Sequence, residues 1–142
     1  MDIVARLKKD EGFSKFAYRC TGNKVTVGYG RNIDRAGGKG LSEREAHMLL
    51  LFDIRECEED LSNLFGALRW AAILGVRQNA LTNMRFQLGH NGFREFNLMI
   101  EAIKRKDWSI AAEEALDSRW ASQTPLRARR VYDELRTGVD LE

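Results

Sequence analysis

The sequence predicts an α+β protein that is mostly α-helical, with a small N-terminal β-hairpin lobe, a long connecting helix and a C-terminal helical lobe. Three observations lead to this fold class. Turn residues separate two short strand-like runs near the N-terminus, a capping box opens a long amphipathic stripe, and every pattern beyond residue 69 is helical. The 142 residues suit one domain. We divide it into a β lobe at about 12–41, a connecting helix at about 42–64 and a helical lobe at about 65–142, with helix 2–11 packed on the helical lobe.

The first predicted element is a short amphipathic helix over residues 2–11. Asp2 suits its N-cap and Gly12 suits its C-terminal end. This boundary leaves Glu11 at the helix end, where it faces the negative end of the helix dipole. That position favours the protonated form of a carboxylic acid.

A small β region is predicted at residues 16–30. The run Thr21–Lys24 carries turn chemistry between FAYRC and VTVGYG. Because side chains alternate along a strand, Val25 and Val27 share one face and Thr26 points to the other. Residues 31–41 contain three glycines and are predicted to form a flexible loop.

The remaining elements are helices. Ser42 and Glu45 form a capping box that opens the long helix. Thr124 followed by Pro125 marks the start of the last helix, since proline is favoured at the first helical position. Five helices are predicted in the C-terminal half, near 69–74, 77–88, 93–105, 108–117 and 125–135.

Composition excludes several classes of protein. With 44% apolar and 31% charged residues the chain is not disordered. A net charge of +2 does not require nucleic acid. The N-terminus is neither a secretory signal nor a membrane anchor, so we expect no stable membrane association and a cytoplasmic product. The cysteines Cys20 and Cys57 follow no metal spacing and form no disulfide framework, so we expect reduced thiols, no metal and no cofactor.

Three residues near the N-terminus indicate a site. A hairpin folding back on the first helix would bring Glu11, Cys20 and Thr26 to one cleft. Glycoside hydrolysis needs a proton donor and a second group that acts on water or on the anomeric carbon. Taken alone the pattern is weak, because a glutamate at a helix end is more often a solvated charge.

The runs DEGFSKFAY and TVGYG resemble the start of the phage-type lysozymes, glycoside hydrolase family 24. That family has a Glu, eight residues, an Asp or Cys, five residues and a Thr, and Glu11, Cys20 and Thr26 match this spacing. The C-terminal half is similar to the same family at NMRFQLG (83–89), SRWASQTPLRARR (118–130) and RTG (136–138).

The resemblance implies a lysozyme-like two-lobe fold and a muramidase. As a phage endolysin it would hydrolyse the β-1,4 bond between N-acetylmuramic acid and N-acetylglucosamine in peptidoglycan and cause host lysis. It would work as a monomer, reside in the host cytoplasm until lysis and then reach the periplasm and cell wall. The resemblance implies catalytic roles for Glu11, Cys20 and Thr26, and substrate-side roles for Gly30, Arg31, Gln87, Arg119, Gln123 and Arg127.

Two departures from the family leave the mechanism open. Cys20 replaces the Asp of the best-known members, so it either helps Thr26 to activate a water, giving inversion, or attacks directly, giving retention. We favour inversion. Arg31 replaces a His that helps to hold the catalytic Glu in the family. A pairing of Arg31 with Glu11 would favour the charged form of Glu11 and oppose its role as an acid. Arg19 and Arg31 are candidates to favour the Cys20 thiolate.

Other interpretations compete with a muramidase. The same departures suit a catalytically decayed peptidoglycan-binding module. The basic helix at 125–136 suits a nucleic-acid binder, but Asp133 and Glu134 lie on it. A related glycan such as chitin is a third alternative. We expect ordinary core positions for Cys57, Met84, Phe86, Trp108 and Trp120.

Overall fold

The computed structural model describes residues 2–141 and confirms the predicted α+β class. The chain divides into two compact units, Met1–Leu50 and Leu51–Glu142, and the boundary falls within the long helix. The predicted packing of helix 2–11 on the helical lobe stays a prediction. In chain order the elements are α1 (Ile3–Glu11), β1 (Ser14–Arg19), β2 (Val25–Gly28), β3 (Arg31–Asn32), α2 (Glu43–Phe65), α3 (Ala67–Ala72), α4 (Gly75–Arg94), α5 (Asn97–Lys104), α6 (Trp108–Leu116), α7 (Arg119–Gln123) and α8 (Pro125–Thr137).

The caps of α1 are those predicted. The Asp2 side chain accepts a hydrogen bond of 2.9 Å from the backbone N–H of Ala5. Gly12 ends the helix at φ 69°, a backbone conformation that favours glycine. Glu11 is therefore the last helical residue, as expected.

The first unit carries a three-stranded antiparallel sheet in the order β1–β2–β3. Tyr18 is paired with Thr26 across β1 and β2, and Thr26 is paired with Asn32 across β2 and β3. Thr26 therefore lies on the central strand and is buried, with 4% of its surface exposed. The hairpin was predicted, whereas β3 occupies the first two residues of the segment predicted as loop.

Hydrogen bonds hold the loop that follows β3. The Asp34 carboxylate accepts the backbone N–H groups of Val25 at 2.9 Å and Ala36 at 2.8 Å. A Cβ on Gly38 would come within 2.6 Å of Asn32 Oδ1, so only glycine fits there. The glycines that predicted a flexible loop therefore also allow a tightly hydrogen-bonded turn.

The long helix α2 begins with the predicted capping box. Ser42 N–H donates to Glu45 Oε2 at 2.9 Å, and Glu45 N–H donates to Ser42 Oγ at 3.1 Å. These reciprocal bonds satisfy two backbone donors that a helix start otherwise leaves unpaired. The buried residues of this helix lie in its second half, at Cys57, Leu61 and Phe65.

The helices of the second unit match the prediction in number more closely than in boundaries. The predicted helix end at residue 88 coincides with the non-helical Gly89, and helical residues then continue across this kink to Arg94. The helix predicted at 93–105 begins only at Asn97. The five-residue α7 was missed, although Ser118 caps it through a hydrogen bond from Ala121 N–H. The last helix starts at Pro125 as predicted, but the Thr124 hydroxyl donates to Trp120 O instead of capping α8.

The core of the second unit lies among α2 and α4–α8. Met84, Trp120 and Cys57 are buried as expected, and Trp108 packs partly buried against the core. The expectation for Phe86 was wrong, because 44% of its surface is exposed. The largest fully buried side chains are Phe65, Phe93, Leu61, Leu81, Met84, Met99, Ile103, Leu135 and Val131. Across residues 2–141, no helix has both the length and the apolar character needed to cross a membrane.

Candidate active site

Glu11 lies directly against the turn between β2 and β3. A Cβ built on Gly30 would lie 2.8 Å from Glu11 Cδ, so the carboxyl group packs against the Gly30 backbone, and a side chain there would have to displace it. Gly30 itself has φ +67°. The fold of the first unit therefore brings the end of α1 to this turn, while the Glu11 side chain remains exposed.

Ring contacts of Tyr29 also hold the turn near α1. Tyr29 lies 5.5 Å from the Phe13 ring, measured between centroids, and Lys8 Nζ lies 5.3 Å from the Tyr29 centroid. A cation over an aromatic face is attracted by the ring quadrupole. Residues on both sides of Glu11 thus contact the residue next to Gly30.

Cys20 and Thr26 meet at the other end of the β1–β2 hairpin. Hydrogen bonds from the Lys24 backbone N–H and the Thr26 hydroxyl lower the pKa of the Cys20 thiol. The Thr26 hydroxyl also lies 2.9 Å from Lys24 O, and because it carries one proton it donates to either the carbonyl or the sulfur. When the Thr26 hydroxyl donates to the Cys20 sulfur, this hydrogen bond stabilises the thiolate.

The arginines expected to stabilise the thiolate have other partners. Arg19 Nη1 donates to Asn23 O at 3.3 Å and lies 3.8 Å from Asp34 Oδ2. Arg31 Nη2 donates to Glu45 Oε2 at 2.7 Å, so the structure pairs Arg31 with Glu45. The pairing of Arg31 with Glu11 that the sequence left open is not the one observed.

Asp34 is a structurally important residue that the sequence analysis missed. Hydrogen bonds from the N–H groups of Val25 and Ala36 lower the pKa of its carboxyl group. These bonds tie the loop after β3 to the start of β2, beside Thr26. The signal was present in Asn32–Ile33–Asp34, since Asn and Asp side chains commonly bond to backbone two residues away.

In the second unit, Arg119 and Gln123 line a cavity of about 630 Å³. Both side chains are exposed, and buried Trp120 contributes to the wall. Three carboxylate residues that the sequence analysis did not single out also line it: Glu95, Glu114 and Asp117.

Gln87 and Arg127 make specific contacts within the second unit. Gln87 Oε1 accepts a hydrogen bond of 2.8 Å from Trp120 Nε1. Arg127 Nε donates to Asn83 Oδ1 at 2.6 Å, and its Nη2 donates to Asn83 O at 3.1 Å. Burial and the neighbouring Arg130 lower the pKa of the Arg127 guanidinium. These two residues therefore connect helices α4, α7 and α8, whatever else they bind.

The described residues offer no group of three or more His, Cys, Asp or Glu side chains that could hold a metal ion. Both cysteines are free thiols, with Cys20 partly exposed and Cys57 buried.

Comparison with known proteins gives a consistent result. The family model described as Phage lysozyme matches residues 8–133. Probable T4-type lysozyme 1 and 2 of Dictyostelium discoideum are each 30% identical, over 161 and 157 aligned positions; these cover 96% and 94% of this chain and 95% and 92% of the relatives.

A third relative is much longer than this chain. The pre-baseplate central spike protein Gp5 of Enterobacteria phage T4 is 30% identical over 162 aligned positions, which cover 97% of this chain but only 28% of the spike protein. The match of the family model extends over both the β sheet and the helical unit. The chain belongs to the phage lysozyme family.

Proposed function

We propose that this protein is a muramidase that hydrolyses the β-1,4 bond between N-acetylmuramic acid and N-acetylglucosamine in bacterial peptidoglycan. The observation that carries the proposal is the Glu11 carboxyl group packed on the Gly30 backbone, in the turn between β2 and β3. Cys20 and Thr26 lie at the opposite end of the β1–β2 hairpin of the same sheet. Family membership and the T4-type lysozymes among the relatives support it.

In this mechanism Glu11 is the general acid. It donates its proton to the glycosidic oxygen as the bond breaks, and positive charge develops at the anomeric carbon. The contact with Gly30 supports this role, because a proton donor has to be held within hydrogen-bond reach of the oxygen that it protonates. The exposed side chain leaves room for a sugar to approach.

Cys20 and Thr26 act on the water that completes hydrolysis. In the favoured inverting version they hold the water, the Cys20 thiolate takes one of its protons, and the hydroxide bonds to the anomeric carbon. The lowered pKa of Cys20 supports this role, because a neutral thiol is a poor base. In the alternative, Cys20 Sγ bonds to the anomeric carbon and water then releases the sugar with retention.

The configuration of the first product distinguishes these versions. Proton NMR of the first-formed anomer from a soluble glycan fragment is expected to show inversion. We also expect Cys20→Asp to keep or raise activity and Cys20→Ala to lower it. Retention, or full activity of Cys20→Ala, would overturn the favoured version.

The substrate-side assignments are strongest for Arg119 and Gln123, which line the cavity of the second unit. An arginine grips a carboxylate with two parallel hydrogen bonds, and a glutamine amide complements a sugar or peptide amide. The Gly30 backbone lies at the acid and is proposed to approach the sugar. Gln87, Arg31 and Arg127 have protein partners and are proposed to shape the surface that the substrate meets.

The biological role that we propose is that of a monomeric phage endolysin. It would stay in the host cytoplasm until lysis and then act in the periplasm and cell wall, without a cofactor, nucleic acid or stable membrane association. The Gp5 spike protein among the relatives suggests an alternative role during entry. Lysis timing in a phage lacking the gene would distinguish these two roles.

The test of the enzymatic proposal is Glu11→Gln, which keeps the shape of the side chain and removes the proton. We expect near-total loss of clearing of outer-membrane-permeabilised cells, with unchanged circular dichroism. Glu58→Gln, at an exposed glutamate of α2, is the matched control and should keep full activity.

Mass spectrometry of the wild-type digest identifies the bond that is cut. Reducing-end muramic acid products are expected from a hydrolase. Anhydro sugars would indicate a transglycosylase, and binding without any product would indicate a decayed binding module. Either result, or an active Glu11→Gln, would overturn the proposal.

A further inference from the structure

The guanidinium of Arg31 connects two places that lie further along the chain. Its Nε and Nη2 donate to Gly40 O at 3.1 and 3.0 Å, and Nη2 also donates to Glu45 Oε2 at 2.7 Å. Arg31 is the first residue of β3, which the loop follows, whereas Gly40 and Glu45 lie where this loop reaches α2. The Arg31 side chain therefore links the start of the loop to its end.

Glu45 extends this connection into the backbone of α2. Its Oε2 accepts the Ser42 N–H at 2.9 Å as well as the Arg31 donor, so one carboxylate oxygen holds both. These two hydrogen bonds lower the pKa of Glu45 and keep its carboxylate charged. The capping box thus has a second role, because it orients the partner of Arg31.

Gly30, the residue directly before Arg31, is the residue whose backbone contacts the Glu11 carboxyl group. Val27 and Arg31 are paired between β2 and β3, and Gly30 lies in the turn that joins them. Since the Glu11 carboxyl group packs on Gly30, a displacement of Arg31 would move the surface that holds the acid.

We infer that Arg31 and Glu45 are positioning residues, which act as one unit to hold the Gly30 turn against the Glu11 carboxyl group. The inference rests on the proposed function and deepens it, since it assigns Glu45 a role that the sequence analysis did not predict. It also gives Arg31 an indirect role, in which it positions the Gly30 turn, in place of a direct contact with the substrate.

The kinetic test compares Arg31→Ala, Arg31→Lys and Glu45→Gln with the wild-type chain on soluble glycan fragments. A misplaced catalytic group lowers the rate of the chemical step, so we expect kcat to fall about tenfold in Arg31→Ala and Glu45→Gln with KM unchanged. Arg31→Lys keeps the charge and should recover part of this loss. A raised KM in Arg31→Ala with normal kcat in Glu45→Gln would mean that Arg31 binds substrate directly, and would overturn the inference.

A double-mutant cycle tests whether the two residues act together. If they do, the double variant Arg31→Ala/Glu45→Gln should lose no more kcat than either single variant. Additive losses would contradict a common action. Glu43→Gln is the matched control, because it removes the same charge from the same helix turn at an exposed residue. It should leave kcat unchanged.

The amide resonance of Gly30 gives a readout that does not depend on activity. In ¹H–¹⁵N spectra we expect it to shift in Glu45→Gln and to stay in place in Glu43→Gln. If this shift occurs but the wild-type chain has no muramidase activity, the proposed function is refuted, whereas the role of Arg31 and Glu45 in positioning the Gly30 turn is supported. An unmoved Gly30 resonance together with normal kcat would refute the inference alone.

Discussion

Two cysteine side chains show how far the environment of a residue decides its chemistry. Cys20 receives hydrogen bonds that stabilise its thiolate, whereas burial raises the pKa of the Cys57 thiol. Cys57 has 4% of its surface exposed and its sulfur lies 3.8 Å from Arg85 Nη1. The sequence predicts a buried thiol at position 57, but it cannot assign the backbone N–H that acts on Cys20.

We predict that the two thiols differ in their reaction with iodoacetamide. Since the thiolate is the nucleophile, a lowered pKa makes Cys20 react at a lower pH than an ordinary cysteine, and the raised pKa and burial of Cys57 delay its reaction. Mass spectrometry of peptides labelled between pH 6 and pH 9 measures both rates. Equal rates in the native chain would contradict the assigned environments, and labelling in denaturant provides the control.

At the scale of elements, α4 contains a kink at Gly89, directly after the predicted helix end at residue 88. Gly89 has φ 78° and ψ 175°, a conformation that is almost confined to glycine. A Cβ at this position would meet no atom within 4 Å. The conformation of the backbone, and not the available space, is therefore what requires glycine.

We predict that Gly89→Ala lowers the free energy of unfolding by about 1–3 kcal/mol through backbone strain. Gly75→Ala is the matched control, because a Cβ at Gly75 also meets no atom within 4 Å and no positive φ is involved. It should leave stability unchanged or raise it by up to about 1 kcal/mol. Urea denaturation measures both, and equal effects would contradict the role of φ.

A charge cluster within the second unit connects α2 with α4. Asp60 of α2 accepts hydrogen bonds from Arg85 and Arg94 and lies 2.9 Å from His90 Nδ1. Burial raises the pKa of Asp60, but the hydrogen bonds from Arg94 and Arg85 outweigh it and hold the value at about 2. Its side chain is only 11% exposed, so water screens these contacts weakly.

We predict that this cluster makes the protein sensitive to acid. A carboxyl group with a lowered pKa in the folded state contributes stability above its unfolded value of 3.8, and this contribution is lost as the pH falls towards 2. The difference corresponds to about 2 kcal/mol. Asp60→Asn should be less stable at pH 7 and should lack this part of the pH dependence. Urea denaturation between pH 2 and pH 6 would contradict the assignment if both chains lost stability in parallel.

At the scale of the whole molecule, apolar burial is concentrated in the second unit. Among residues 2–141 the buried apolar side chains all lie between Cys57 and Leu135. In the first unit, Thr26 is buried on the central strand. Hydrogen bonds that Asp34 accepts from Val25 N–H, and that Glu45 accepts from Arg31, hold the loop. The thermal stability of the second unit should therefore depend on the packing of its buried apolar side chains.

We predict that Met84→Ala lowers the free energy of unfolding by about 2–5 kcal/mol, because it removes a fully buried side chain and leaves a cavity. The matched control is Leu68→Ala, at a residue with 90% of its surface exposed, which should change stability by no more than about 0.5 kcal/mol. Calorimetry measures the difference, and a small effect of Met84→Ala would contradict its place in the core.

The sequence by itself determined the family, the order of all elements except β3 and α7, and several of their ends. Asp2, Gly12, the Ser42–Glu45 box and Pro125 act through hydrogen bonds or dihedral angles within four residues, so their effects can be predicted locally. The spacing of Glu11, Cys20 and Thr26 identified them as candidate catalytic residues, and their roles stay proposals.

Tertiary structure alone decided which polar groups are partners. Arg31 had Glu11 as a candidate partner, yet it is paired with Glu45, 14 residues away; Trp120 is bonded to Gln87 across 33 residues. A local pattern cannot choose among such partners, because a charge or amide has no periodicity and pairs with whichever group the chain path brings within about 3 Å. The path of the chain, and not the type of residue, places Arg31 next to the turn that contacts Glu11.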